Sequence, residues 1–306
     1  MLIGLLFALS PALQDSSPED PSRQEGAPRV ETLARALEGG AGGLEVGADG
    51  FVYCADFGSK LGRGSEGGDK VYRIDPRSGE AKVFATGLRG ASGNAFGPDG
   101  SFYQSNIGAG TITRIPPDGE PETFVPGGLR SPVGIVVDAE GILFVANCGA
   151  GTITEVTPDG EAREFAASPL LACPNGLALD AEHNLYVANF QNGDVVKIDV
   201  TGAASRLATL PGNGNGHLVH RDGVLYVVAR NAHRIYRVTL EGEVSVFAGS
   251  GERGNADGPL LEASFSFPND LAFSPDGKTL YVNENASTTA PHTELAPMTV
   301  RAIRLE

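Results

Sequence analysis

Six copies of one short phrase run through this 306-residue chain. Each copy consists of an apolar run, a tight turn and a second apolar run with an aromatic residue near its start. The turns are centred, at intervals of 40 to 54 residues, on Gly50, Gly100, Gly141, His183, Gly223 and Gly277. A repeat of this period indicates an architecture in which each copy is one supersecondary unit. The sequence therefore predicts a single domain over residues 29–306.

Each copy contains four short strand signals. In the third copy these are apolar runs at 134–137 and 142–146, an alternating run at 152–156 and a last strand at 162–165. Gly-containing turns separate the runs, as expected of an antiparallel meander. Four-stranded units of this length have the size of a β-propeller blade. The predicted fold is all-β, a six-bladed β-propeller.

The two ends of the chain complement one another. The sixth copy has a third strand at 300–305 but no fourth, whereas segment 29–33 alternates like a fourth strand and has no partner of its own. Pairing these two segments would remove two exposed strand edges. We therefore predict that the N-terminal segment supplies the outer strand of the last blade.

Composition and the first residues bear on partners and compartment. The net charge of −15 argues against nucleic acid, whose binding needs a basic surface. The apolar run at 2–9 is too short to span a bilayer and is followed by small residues. These features predict a signal peptide at 1–12, a disordered spacer at 13–28 and an exported protein, periplasmic or extracellular. No membrane span is predicted, and a monomer is expected.

The three cysteines have distinct positions in the repeat. Cys148 follows the second strand of the third copy, and Cys173 precedes the first strand of the fourth. In a meander these two ends lie on the same face of adjacent blades, which predicts a Cys148–Cys173 disulfide. Cys54 is expected to be a buried thiol. Small apolar packing remains the alternative for all three.

The innermost strands of a propeller converge on its axis. Eight residues before each turn, this ring contains Gly42, Ser92, Val133, Asn175, Asn215 and Asn269. The amide oxygens of Asn175, Asn215 and Asn269 are suitable ligands for Ca²⁺ or another divalent cation, or for a polar substrate. The alternative is that these residues form turns and nothing more.

The motifs around two of these asparagines resemble a known family. The phrase 174–177 and the segment 268–282 resemble the senescence-marker-protein/gluconolactonase family of six-bladed propellers. That resemblance implies hydrolysis of sugar lactones and related esters at one axial divalent metal, held by Glu, Asn and Asp in blades 1, 4 and 5. Only Asn175 corresponds, because Gly42 and Asn215 stand where the family has carboxylates.

Catalytic candidates must therefore come from other positions. The candidate carboxylates are Glu45, Asp270 and Glu284, and His217 is the candidate general base. His217 could instead be a packed structural histidine, and His220 and His233 are expected at the periphery. The polar residues that end the second strands are expected to cap turns; they are Asp56, Asn106, Asn147 and Asn189.

Two further resemblances compete with the first. Segments 231–235 and 247–258 resemble an NHL repeat, which implies a propeller used as a binding platform. Segment 110–119 resembles streptogramin lyase, which uses His and Glu at its channel mouth, and His217 and His292 could lie near that mouth. The Gly-rich pattern at 249–254 lacks the following helix that a dinucleotide site needs.

The leading functional hypothesis is a secreted hydrolase that acts on a lactone or ester at the channel mouth. The alternative is a non-catalytic NHL-like module that binds a small molecule or a protein there. The insertions at 57–69 and 285–299 are expected to overhang the ring and restrict the size of the ligand. An enzyme needs a carboxylate close to the asparagine ring, whereas a binding module does not.

Overall fold

The computed structural model describes residues 26–61 and 67–305. The predicted signal peptide and the predicted spacer up to residue 25 lie outside the described residues. In the described part of the chain, the regular structure is β-strand apart from a single 3₁₀ turn at Arg230–Ala232. No described helix is long and apolar enough to cross a bilayer.

The strands form six antiparallel sheets. Blades 1 and 2 contain β2 (Ala41–Val46), β3 (Val52–Asp56), β4 (Lys70–Ile74), β5 (Ala81–Thr86), β6 (Ala91–Phe96), β7 (Phe102–Asn106), β8 (Thr111–Ile115) and β9 (Glu122–Val125). Blades 3 and 4 contain β10 (Pro132–Val137), β11 (Leu143–Asn147), β12 (Thr152–Val156), β13 (Ala162–Ala167), β14 (Pro174–Leu179), β15 (Leu185–Asn189), β16 (Asp194–Ile198) and β17 (Ala204–Thr209). Blade 5 contains β18 (Asn215–Arg221), β19 (Val224–Ala229), β20 (Arg234–Thr239) and β21 (Val244–Ala248).

Blade 6 joins the two ends of the chain. Its strands are β23 (Asp270–Phe273), β24 (Thr279–Asn285), β25 (Met298–Arg304), β1 (Arg29–Leu37) and the short β22 (Gly258–Pro259). Strand β1 pairs with β25 from Arg29↔Arg304 to Leu37↔Met298, so the predicted closure by the N-terminal segment is confirmed. Each inner strand contacts the inner strands of both neighbouring blades, which closes the ring. The prediction of a six-bladed β-propeller is confirmed.

The core lies between adjacent blades. The inner two strands of each blade are nearly all buried, whereas the outer strands alternate or are largely exposed, for example β13. The aromatic residue of the repeated phrase packs into the space between blades. Tyr53 of blade 1 lies 5.0 Å from Phe96 and 5.7 Å from Phe102 of blade 2, between ring centroids. The repeat of one aromatic per copy therefore reflects blade-to-blade packing.

A glycine at the same position of five blades allows neighbouring inner strands to pack closely. In five blades the residue after the ring position is a glycine, and a Cβ there would lie 2.1–2.4 Å from an atom of the next blade. These glycines are Gly43, Gly93, Gly134, Gly176 and Gly216. The sixth position is Asp270, which pairs regularly with Asn283, whereas the other five blades have a register shift at this point. Among the six blades, only blade 6 has a side chain, that of Asp270, at the position where the inner strand approaches the next blade.

Polar and covalent contacts hold the loops at the ring end of the propeller. Cys148 and Cys173 form a disulfide that joins blades 3 and 4, and Cys54 is a buried free thiol. The carboxylate of Asp56 accepts hydrogen bonds from the backbone N–H groups of Gly40, Gly58 and Gly68. Asn106, Asn147 and Asn189 similarly bond the backbone of neighbouring loops, which is the capping role expected of them.

Candidate functional site

Two cavities lie along the propeller axis. The channel cavity has a volume of about 410 Å³ and is walled by all six inner strands, including Glu45, His220 and Asp270. The mouth cavity has a volume of about 90 Å³ and lies at the N-terminal ends of the same strands, beneath the loops. His217 lines both cavities, so its imidazole lies where they approach one another.

His217 and Asp270 form a close pair at this point. Nδ1 of His217 lies 3.2 Å from Oδ2 of Asp270, and the two residues are 6% and 5% exposed. The Asp270 carboxyl also accepts the backbone N–H of Leu44 at 2.8 Å and that of Leu271 at 2.7 Å. The two backbone hydrogen bonds fix the Asp270 carboxyl against blade 1 and beside the imidazole. Nε2 of His217 has no hydrogen-bond partner among the described residues.

Burial shifts all three ionisable groups of this cluster towards their neutral forms. Desolvation raises the pKa of Asp270 to about 8, against the two backbone N–H groups that lower it. Desolvation also raises the pKa of Glu45 to about 7, and the nearby Asp270 charge raises it further. The pKa of His217 falls to about 4 through burial. Two carboxyl groups therefore titrate near neutral pH beside a neutral imidazole, as is typical of sites that transfer protons.

The protonation state of the pair decides what Nε2 can do. While Asp270 is protonated, its hydroxyl can donate to Nδ1, and the neutral imidazole then carries its proton on Nε2. Once Asp270 ionises, above its pKa of about 8, Nδ1–H donates to the carboxylate and Nε2 presents a lone pair. The pair is thus a proton donor at lower pH and a general base at higher pH.

These shifts predict a pH-dependent stability. Because the folded-state pKa values of Asp270 and Glu45, about 8 and 7, exceed their unfolded values, their stabilising contribution is lost as pH rises through them. We expect the free energy of unfolding to fall from about pH 4, where both carboxyls ionise in the unfolded chain, to about pH 8, by up to about 1.4 kcal/mol per pH unit for each group, and to level off above that. Urea unfolding at several pH values measures this change in the free energy of unfolding. Asp270→Asn should flatten the slope, and an unchanged slope would contradict the assignment.

The three ring asparagines bond neighbouring blades through their side-chain N–H groups, and Oδ1 of Asn215 has no hydrogen-bond partner in the described part of the chain. Asn175 and Asn269 line the mouth cavity, but their Nδ2 atoms donate to the backbone carbonyls of Asn215 at 3.1 Å and Gly42 at 2.9 Å. The Asn215 side chain instead donates to the carbonyl of Asp194 at 3.3 Å and lines neither cavity. The asparagines thus link neighbouring blades through side-chain to backbone hydrogen bonds.

The donor set at the mouth does not fit a divalent cation. None of the described residues that line the mouth cavity has a carboxylate, and the buried guanidinium of Arg230 lies in its wall. Ca²⁺ affinity follows the number of charged oxygen ligands, and a buried cation opposes a second one. The described His, Cys, Asp and Glu residues form one compact ligand group, Asp138, Glu140 and His183, which lines neither cavity.

We therefore expect Ca²⁺ to have little effect on stability. A metal at about 100 times its dissociation constant would contribute about 2.7 kcal/mol, or roughly 5–10 °C in unfolding temperature. After chelation, millimolar Ca²⁺ should produce no shift of that size. Differential scanning calorimetry of the wild type beside Asn175→Ala measures it. A Ca²⁺ shift that Asn175→Ala abolishes would show a metal site at the ring.

The other residues considered in the sequence analysis lie at different places relative to the two cavities. Glu45 and Asp270 belong to the channel cavity, but Glu284 lines neither cavity: it is fully buried and bonds Arg301 at 2.6 Å. The structure therefore places Glu284 in a buried ion pair outside both cavities. His220, expected at the periphery, lies in the wall of the channel cavity, where its Nδ1 contacts the carbonyl of Leu179 at 3.1 Å.

Three features of the two axial cavities escaped the sequence analysis, and two of them have a signal in the sequence. The Gly-to-Asp exception at Asp270 appears when the residues seven positions before each turn are aligned. Arg230 appears when the residues that follow the second strands are aligned, because the equivalent positions in the first four blades are apolar or cysteine. Those positions are Phe57, Ile107, Cys148 and Phe190. No pattern in the sequence points to His220, because its position in the wall of the channel cavity is seen only in the structure.

Comparison with known proteins shows which family this chain belongs to. A family model described as the virginiamycin B lyase family matches residues 34–258. The chain belongs to the virginiamycin B lyase family. Of the three resemblances, this match supports the one to streptogramin lyase; the gluconolactonase-family and NHL assignments are not confirmed. A comparison with curated proteins gives no match.

Solved structures share the architecture of this family member. Virginiamycin B lyase from Staphylococcus aureus is 17% identical, with a TM-score of 0.64 over 92% of this chain and 100% of that chain. A gluconolactonase from Xanthomonas campestris is 15% identical, with a TM-score of 0.68 over 91% and 90%. An auxiliary nutrient binding protein from Bacteroides ovatus is 14% identical, with a TM-score of 0.71 over 91% and 77%. At these identities the likeness shows the fold alone.

Proposed function

We propose that this protein is an enzyme that cleaves a lactone or ester bond in a small molecule. The observation that carries the proposal is the His217–Asp270 pair: the imidazole lies beside a buried carboxyl, lines both cavities, and has no partner for Nε2 among the described residues. Support comes from the family, named for virginiamycin B lyase, and from a gluconolactonase with the same architecture. A catalytically inactive histidine-to-alanine variant of the Staphylococcus lyase has been solved with quinupristin, which fits small-molecule binding by this fold.

The pair can serve either of two routes. In hydrolysis, Nε2 of His217 removes a proton from water, the water oxygen bonds to the acyl carbon, and the alcohol leaves with that proton. In elimination, Nε2 removes a proton from the carbon next to the alkoxy carbon. A carbon–carbon double bond then forms, the carbon–oxygen bond breaks, and a carboxylate leaves. In both routes the Asp270 carboxylate stabilises the imidazolium that forms.

Glu45 completes the proton path. Its carboxyl lies in the channel cavity, close enough to Asp270 for the two charges to raise its pKa, and its pKa near 7 allows exchange at neutral pH. A proton that arrives at the His217–Asp270 pair can therefore pass to water in the channel cavity. None of these steps requires a metal.

The mass of the product tests the proposal and separates the two routes. The purified protein is incubated with a panel of lactones, aryl esters and cyclic depsipeptides, and the products are analysed by mass spectrometry. A ring-opened product that gains the mass of one water shows hydrolysis. A ring-opened product of unchanged mass with a new double bond shows elimination. His217→Ala provides the background rate.

Binding without cleavage would contradict the enzymatic proposal. If members of the panel bind but none is cleaved faster than with His217→Ala, the protein is a binding module and the enzymatic proposal fails.

The Cys148–Cys173 disulfide also supports export to an oxidising compartment, as part of the same proposal. Alkylation of unfolded protein isolated from its native host should then modify one thiol, that of Cys54; modification of three thiols would argue against export.

A further inference from the structure

Two arginines are buried in the described part of the chain, and their surroundings differ. Arg301 is fully buried, and its guanidinium contacts two carboxylates, Glu284 at 2.6 Å and Asp257 at 2.8 Å. Arg230 is 3% exposed, and no carboxylate of the described residues lies within ion-pair distance of it. Because an unpaired buried charge is costly, Arg230 is a candidate for binding an anionic ligand.

The contacts of Arg230 leave much of its donor capacity unused. Nη1 donates to the carbonyl of Phe267 at 3.0 Å, and Nη2 donates to the carbonyl of His292 at 3.1 Å. A guanidinium has five N–H groups, so these two bonds leave donors for a ligand. The guanidinium also lies 5.1 Å from the Phe267 ring centroid, which holds it in place.

A second arginine adds positive charge beside it. Arg253 lies 4.4 Å from the same Phe267 ring and donates to Ser266 and to the carbonyl of Ser287, again without a carboxylate partner. Burial and the Arg253 charge together lower the pKa of Arg230 to about 10, so Arg230 remains charged at neutral pH. Two guanidinium groups therefore lie near the same ring at this side of the mouth, in a protein whose net charge is −15.

Most of the remaining lining of the mouth cavity is apolar, although it also includes four polar residues: Ser92, Asn175, His217 and Asn269. Arg230 lies in its wall with Phe57, Leu61, Ile107, Phe190 and Leu295. With a volume of about 90 Å³, the cavity suits a small ligand or one end of a larger one. One cation in an apolar enclosure suits a ligand with one anionic end and an apolar body.

We propose that the mouth cavity binds a small carboxylate with an apolar substituent, whose carboxylate group pairs with Arg230. Arginine is well suited to this role because its planar fork matches the geometry of a carboxylate. The site does not depend on the proposed catalysis, since a protein that cleaves nothing could still bind such a ligand. If the protein does cleave esters, the ligand corresponds to the acyl product, and His217 lies in the wall of the same cavity.

Matched probes test this site directly. Acetate, butyrate and benzoate are titrated into the full chain by calorimetry, with butyramide as the neutral counterpart of butyrate. We expect saturable binding of at least one carboxylate and no binding of butyramide. Arg230→Gln should weaken carboxylate binding about 10- to 100-fold, the range for hydrogen bonds to a charged group. The control is Arg237→Gln, an exposed arginine of the same blade that lines neither cavity, and its affinity should equal that of the wild type.

The proposal is overturned by any of three results: no carboxylate binds, butyramide binds as well as butyrate, or Arg230→Gln binds like the wild type. If Arg230→Gln does not fold, Arg230→Lys replaces it, because Lys keeps the charge without the fork and should show intermediate affinity. Turnover is measured separately, so carboxylate binding without ester cleavage would refute the enzymatic proposal and leave this one standing.

Discussion

Replacing Asp270 by Asn is expected to lower the turnover of the lactone or ester substrate by about 10²–10⁴-fold, the usual contribution of general acid–base catalysis. Oδ2 of Asp270 lies 3.2 Å from Nδ1 of His217, so the carboxylate would stabilise the imidazolium that forms when Nε2 takes a proton. An amide keeps the shape but carries no charge. The loss should therefore fall on kcat and leave KM nearly unchanged.

The pH profile gives a second measurement on the same variant. Nε2 presents its lone pair once Asp270 ionises, so wild-type kcat/KM should rise with pH through about 8, and Asp270→Asn should lack that limb. Asp159→Asn is the control, because Asp159 is exposed and lines neither cavity. Full activity in Asp270→Asn, or an unchanged alkaline limb, would remove Asp270 from the mechanism.

Replacing Glu284 by Gln is expected to destabilise the protein by about 3–5 kcal/mol, the range measured when one partner of a buried ion pair is removed. Glu284 and Arg301 are both 0% exposed, and Glu284 also accepts the backbone N–H of Ser266 at 2.6 Å. The variant leaves the Arg301 guanidinium with Asp257 alone, which is half-exposed. Urea unfolding monitored by circular dichroism measures the change.

Two further variants make this prediction specific. Glu284→Leu combined with Arg301→Leu removes both charges, and it should recover much of the lost stability because no buried charge is left unpaired. Glu31→Gln is the control, since its pairs with Arg29 and Arg304 are exposed and should change stability by less than about 1 kcal/mol. A loss below about 1 kcal/mol in Glu284→Gln would show that the pair is dispensable.

The architecture was predictable because its signal is repeated. Six turns at similar spacing, each followed by an aromatic residue, indicate four-stranded units that cannot bury their faces alone. The closing strand was predictable for a related reason, because an unpaired fourth strand at 29–33 matches a sixth copy that lacks one. Both inferences depend on hydrophobic periodicity and edge pairing, which are local properties of the chain.

The candidate site was predicted only in part. His217, Asp270 and Glu45 were named from their proximity to the ring, and the structure brings them together at the axis. Asn215 was named on the same argument, yet its side chain turns towards Asp194 of blade 4. Residues at equivalent positions diverged because side-chain direction depends on the contacts between neighbouring blades, which spacing along the chain does not encode.

The order of strands, the number of blades and the closure of the ring follow from the sequence alone, since each copy of the phrase carries its own turn and apolar pattern. The roles of the charged residues follow only from the tertiary structure. Glu284 and Asp270 both lie in blade 6, but one meets a buried guanidinium and the other a buried imidazole. A carboxylate takes its function from the charge and solvent around it, and those are set by residues distant in the chain.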